Sequence, residues 1–255
     1  HVRSRRQRQM CIRDRSHTGP KAAVGDINGD GLQDIYIGGT SEQIGQLYLQ
    51  SVGGFVKKEI PDMKMYLNFE DAEIDLIDVD GDKDLDLFIA ASGNVASPAS
   101  RELQSRLFLN DGKANFAITT TAFPLNKDNI GAIVWHDFDK DGDLDLFAGA
   151  SCVTKEYGMT PQSHFYLNDG KGKFTDLPKV KLNGIDELGM IQSAALSNVD
   201  GDKDMELVIV GEWMSPHIFK FKNGAFVELS SNLNKLTGWW SAVHSLSLIH
   251  ISEPT

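Results

Sequence analysis

Four times along the chain an alternating run of apolar and small residues leads into an acidic loop, and a nearly continuous apolar run leaves it. The entry runs are KAAVGD, AEIDLID, GAIVWHD and SAALSN; the exits are DIYIGG, DLFIAA, DLFAGA and ELVIVG. Alternation predicts half-buried strands, and short unbroken apolar runs predict strands covered on both faces. A third short strand follows (QLYLQ, RLFLN, HFYLN, HIFKF), then a turn with Gly, then a fourth strand opening at Phe. The turns are Gly53-Gly54, Asn110-Asp111-Gly112, Asn168-Asp169-Gly170 and Asn223-Gly224. These residues accept positive φ, which is hairpin chemistry. No segment sustains a helical period, so the pattern predicts an all-β chain built from four-stranded antiparallel meanders.

The acidic loops begin at Asp26, Asp78, Asp137 and Asn198, spaced by 52, 59 and 61 residues. That period fits a propeller blade better than a leucine-rich or hexapeptide coil. Blades are expected at 18–67, 68–127, 128–187 and 188–237. Leu236–Val243 (LTGWWSAV) reads as the entry strand of a fifth. A closed propeller usually has more blades, so this is expected to be a propeller fragment that lacks the remainder of its own chain. Its first and last blades should then expose apolar faces.

At 255 residues and 41% hydrophobic content the chain can bury a sizeable core. Its net charge of -11 argues against nucleic acid as a partner. The one basic cluster is N-terminal, six Arg in the first fifteen residues. Met10–Arg15 and Leu246–Ile251 can be encoded by DNA sequences that are reverse complements over their shared length. Such an inverted repeat resembles translated sequencing adapter. Residues 1–15 and 246–255 are therefore read as an artefactual leader and tail, and 16–245 as the natural segment. Trimming leaves 19 basic and 34 acidic residues, net -15, with Cys152 alone and no internal disulfide. No apolar run reaches the ~18 residues of a membrane span.

In each loop, acidic or amide side chains occupy positions 1, 3, 5 and 9. They are Asp26, Asn28, Asp30 and Asp34; Asp78, Asp80, Asp82 and Asp86; Asp137, Asp139, Asp141 and Asp145; Asn198, Asp200, Asp202 and Glu206. Alternate side chains of a tight loop can converge, and the carbonyls of Leu32, Asp84, Asp143 and Asp204 at position 7 can complete an oxygen cage. The side chain of Asp84 is then expected toward solvent. Calcium takes six to eight such hard oxygens, whereas Mg²⁺ keeps its waters and transition metals favour N or S donors. An EF-hand is excluded, because its Glu belongs at position 12, where Ile37, Ile89, Ala148 and Ile209 stand. Up to four Ca²⁺ sites are expected. The second and third, with four carboxylates each, should bind tightest, and the fourth, with Glu206 in place of the shorter Asp, should be weak or empty.

These loops, the small-apolar strands before them and the LFLNDGKANF and FYLNDGKGKF hairpins resemble the FG-GAP/VCBS repeat family, which includes the β-propellers of integrin α-subunits. The likeness covers nearly all of 18–245. GWW before a fresh strand is similar to bacterial secreted members. The resemblance implies that a cation braces the turn between the first two strands of each blade, and that the opposite face binds partners. It also implies an extracellular, cell-surface or periplasmic location. Ile37-Gly38-Gly39 and Phe147–Ala150 only approximate the FG-GAP signature itself.

In a meander the first and third turns share one face, so the long connections 39–46, 92–105, 151–163 and 211–216 gather on the other. Variable loops on a repeated scaffold carry binding. Arg101, Tyr157, Met159, Trp213 and Met214 are the exposed contact candidates for a protein or glycan ligand. Trp135, Trp239 and Trp240 are expected in the core, and His164 and His217 in edge packing. No nucleophile elbow, zinc-binding His pair or P-loop occurs, so the expected function is a non-catalytic, calcium-binding adhesion or interaction module. The alternative is the propeller of a secreted polysaccharide-degrading enzyme, or an accessory domain to one, with Glu42, Glu102 and Glu156 as the acids to suspect.

Overall fold

The computed structural model describes residues 20–93, 100–156 and 158–245. Nearly all of its regular secondary structure is strand. Four antiparallel sheets follow one another in chain order. The first holds β1 (Ala22–Gly25), β2 (Asp34–Ile37), β3 (Gln46–Ser51) and β4 (Gly54–Lys58); the second β5 (Glu70–Ile77), β6 (Asp86–Ser92), β7 (Arg106–Asn110) and β8 (Phe116–Thr119). The third holds β9 (Asn129–His136), β10 (Asp145–Cys152), β11 (His164–Asn168) and β12 (Phe174–Asp176). The fourth holds β13 (Met190–Ser197), β14 (Glu206–Met214), β15 (His217–Lys222) and β16 (Ala225–Glu228). Among the described residues, one helical turn, α1 (Lys179–Leu182), and four short 3₁₀ turns lie in the connections.

Period two explains how the sheets stack. Along β6, Leu87 and Ile89 enter a core shared with Tyr36 and Leu47 of the first sheet, while Phe88 and Ala90 enter one shared with Leu146, Ala148 and Tyr166 of the third. Along β10, Phe147 turns the other way, toward Leu207, Ile209 and Phe219 of the fourth. Both strands are thus covered on two faces, as their unbroken apolar runs require. The first strands of successive sheets also touch: β1 meets β5, β5 meets β9, and β9 meets β13.

Two expectations meet detail here. The first sheet does leave an apolar outer face, with Val24, Ile37 and Phe55 exposed. The segment around Trp239 does not begin a new sheet. Gly238–Trp239 forms β17, which pairs with β14 at Met214 and Glu212. The backbone then runs beside β13, where Val243 N donates to Ser193 Oγ (3.2 Å). The ends read as artefactual, 1–15 and 246–255, lie outside the described residues.

Candidate metal loops and the opposite face

Each acidic loop joins the first strand of a sheet to the second, and its position-9 acid is the first residue of that second strand. Asp34, Asp86, Asp145 and Glu206 are fully buried there. The backbone explains why a carboxylate belongs at this point. Asp86 accepts N–H groups from Val79 (3.1 Å) and Asn110 (2.8 Å), and Asp145 from Phe138 (3.1 Å) and Asn168 (3.1 Å). Asp34 does the same for Ile27 (3.0 Å) and Gln50 (2.7 Å). One side chain therefore pins the loop to the neighbouring hairpin and satisfies two backbone donors.

The position-1 acid holds the far side of the turn. Gly31, Lys83 and Gly142 donate their N–H to Asp26, Asp78 and Asp137, at 2.8, 3.0 and 3.1 Å. With both ends fixed, carboxylates converge. Oxygens of Asp78, Asp80 and Asp86 lie within 4.8 Å of one another, as do those of Asp137, Asp139 and Asp145, and of Asp200, Asp202 and Glu206. Asp82, Asp141 and Asp30 at position 5 instead accept N–H from the position-7 residues Asp84 (2.9 Å), Asp143 (3.0 Å) and Leu32 (2.8 Å). In the first loop Asn28 takes position 3 and donates to Asp30 (3.0 Å).

Electrostatics make the second and third clusters demanding. Burial, tempered by the hydrogen bonds from Asn110 and Val79 and aggravated by Asp80 and Asp82, pushes the Asp86 carboxyl up to about 7. Asp145 is pushed to about 6 for the same reasons. Burial and the neighbouring acids also raise Asp80 and Asp139. Mutually repelling carboxylates gathered within 4.8 Å around one buried acid are chemistry suited to a hard divalent cation. The side chain of Asp84 does not simply face solvent. It packs on the hairpin glycine Gly112, where a Cβ would stand 2.6 Å from its Oδ2; Asp143 packs on Gly170 in the same way.

A family model described as an FG-GAP-like repeat matches residues 26–89 and 78–148, each match beginning at an acidic loop. Residues 26–148 thus carry FG-GAP-like repeats. No curated protein matches it. Among solved structures it is similar to an Agrocybe aegerita lectin described as recognising non-reducing terminal N-acetylglucosamine. The TM-score is 0.54 and the identity 17%, over 83% of this chain and 51% of that one. The chain thus spans about half the length of that structure.

On the face of the sheets opposite the acidic loops, the contact candidates fare differently. Trp213 is 44% exposed and stacks on Trp239, 57% exposed, at 5.9 Å and 11°. Trp239 is therefore a surface residue, contrary to its assignment to the core; pairing with β14 carries it to the sheet's end. Met159 is exposed. Arg101 is exposed too, its guanidinium over the rings of Tyr66 (5.5 Å) and Phe69 (5.9 Å). Met214 is not an exposed contact: it is buried in the core between the third and fourth sheets. Tyr157 lies outside the described residues.

His164 and His217 occupy matching first positions of β11 and β15, and each pairs with an acid of the next strand. His164 Nδ1 lies 3.0 Å from Asp176, and His217 Nδ1 2.6 Å from Glu228. Trp135 packs on Phe88 and Phe174. Sequence reasoning missed Lys220, whose Nζ reaches the fourth loop, and Asn110 and Asn168, whose amides tie neighbouring sheets. The deviation of HIFKF from its three counterparts was the available signal for Lys220.

Proposed function

We propose that the chain forms four blades of a β-propeller, braced by calcium, that serve outside the cell as a non-catalytic module for binding a glycan or protein. The observation that carries this is the convergence of three carboxylates in both the second and third loops, each behind a buried position-9 acid that starts a core strand. Stacking of the sheets through their first strands supports the propeller arrangement. Modest calcium sites fill where the ion reaches ~10⁻⁴–10⁻³ M, which favours an extracytoplasmic setting.

The glycan side of the proposal draws on the exposed Trp213–Trp239 pair. Indole faces suit the apolar face of a sugar ring, and the fold neighbour is a lectin. Titration calorimetry with Ca²⁺, followed by a glycan array with and without chelator, tests the reading. Calcium uptake with calcium-dependent retention of a glycan, weakened by Trp213→Ala at unchanged melting temperature, is expected. Turnover of a polysaccharide, lost on Glu→Gln change at Glu42, Glu102 or Glu156, would replace it with the enzymatic alternative.

A further inference from the structure

The fourth loop departs from the others in three linked ways. Its position 1 is Asn198, so two carboxylate oxygens are not offered to the turn. The Asn198 amide instead donates to the carbonyl oxygen of Asp202. Position 6 also changes: Gly31, Lys83 and Gly142 have φ of 84°, 76° and 103°, whereas Lys203 is not among the described residues with positive φ. Asn198 Oδ1 still accepts the N–H of Gly201 (2.7 Å), as Asp78 does from Gly81 (2.8 Å), but the rest of the turn is closed by a different bond and a different conformation.

The second departure lies on β15. In register with Leu49, Leu109 and Leu167 of the other third strands stands Lys220. Its ammonium contacts Asp200 Oδ2 (2.8 Å), Asp202 Oδ2 and Glu206 Oε1 (3.1 Å). These are the three acids whose oxygens converge in this loop. The Lys220 side chain is 11% exposed. Ion pairing with Asp200 and Asp202 raises its pKa, and the same contact lowers that of Asp202.

The third departure is Phe221. Its counterparts Asn110 and Asn168 donate to the preceding loop at Ile27 O (2.8 Å) and Val79 O (2.7 Å). Phe221 instead stacks on Phe165 (5.8 Å, 18°) and meets Phe138 edge-on, so aromatic packing replaces the amide tie. Lys140 of the third loop then reaches Asp204 at 2.6 Å, adding a second internal cation.

We propose that the Lys220 ammonium is the resident cation of the fourth loop, standing at the point on which Asp200, Asp202 and Glu206 converge, so that this repeat is braced without metal. A divalent ion would have to displace an ammonium held by three carboxylates on a strand whose backbone is fixed by β14 and β16. The inference rests on the calcium reading only for the other loops.

Calcium stoichiometry of the full chain tests it, with Asp80→Asn, Asp202→Asn and Lys220→Leu compared with the parent. Asp80→Asn should lose one ion, Asp202→Asn none, and Lys220→Leu, which restores the residue of the other repeats, should gain one. Loss of an ion in Asp202→Asn, or no gain in Lys220→Leu, overturns the proposal. If the parent itself takes up no calcium, the calcium reading fails, and a double-mutant cycle of Lys220→Leu with Asp202→Asn in chelator decides the inference. Melting temperatures that drop less in the pair than the sum of the single drops support it; additive drops overturn it.

Discussion

Gly170 shows how a single position can be fixed twice over. Its φ is +68°, and a Cβ there would stand 2.5 Å from the Asp143 carboxylate. Gly170→Ala should therefore destabilise the protein by about 1–3 kcal/mol in denaturant melts. Asp143→Ala placed beside it should recover only the share due to the clash. A different residue-scale effect concerns Asp75 on β5, whose carboxyl is raised mainly by burial and lowered in part by the N–H of Leu76. Because the folded pKa exceeds the unfolded one, the fold holds this proton more tightly. Its effect on stability is thus most favourable below the unfolded value of ~3.9 and is lost as pH rises through the folded value. Asp75→Asn should match the parent near pH 3 and be the more stable at pH 7. A gap that does not change with pH would contradict the assignment.

At the scale of elements, the connections between sheets carry polar ties that the strand pattern alone does not announce. Asp71 on β5 accepts the N–H of Gly39 (2.6 Å) from the connection after β2. It also pairs with Arg106 of β7 at 2.5 Å, both side chains almost fully buried. The guanidinium lies against the rings of Tyr66 (5.2 Å) and Phe69 (4.9 Å). Removing one partner strands a buried charge, so Asp71→Ala should lower stability by about 3–5 kcal/mol, whereas Asp71→Leu with Arg106→Met should lose much less. Chemical denaturation of the three proteins reads this directly. The bulges fit the same picture, since β5–β6, β9–β10 and β13–β14 all shift register at the end away from the acidic loops. That is where the sheets give way to irregular connections.

For the whole molecule, three cores lie between four sheets, and each acidic loop sits where two strands leave for those cores. Chelation should therefore act on the entire fold and not on a loop alone. The melting temperature should fall in EDTA and recover with Ca²⁺. Asp80→Asn together with Asp139→Asn should remove most of that difference, because these positions belong to the two loops richest in ligand carboxylates. An identical melting curve with and without chelator would leave the crowding of Asp78, Asp80 and Asp86 without its physical reason.

The four-sheet plan was legible in the sequence because strand alternation and hairpin residues are local signals. Asn223 and Gly224, for example, have φ of 55° and 75°, as their identity suggested. The acidic loops were legible for the same reason, since ligand spacing is a property of a short segment. What needed tertiary structure was every contact made across strands or sheets. The burial of Met214, the exposure of Trp239 and the placing of Asp84 on Gly112 all depend on which element lies alongside. Lys220 is the sharpest case: eighteen residues beyond Asp202 in the chain, it meets that loop only because β15 pairs with β14 and brings its ammonium to the carboxylates. Local chemistry thus determined where acidic oxygens gather, and only the packing of strands decided that an ammonium stands among them in the fourth loop.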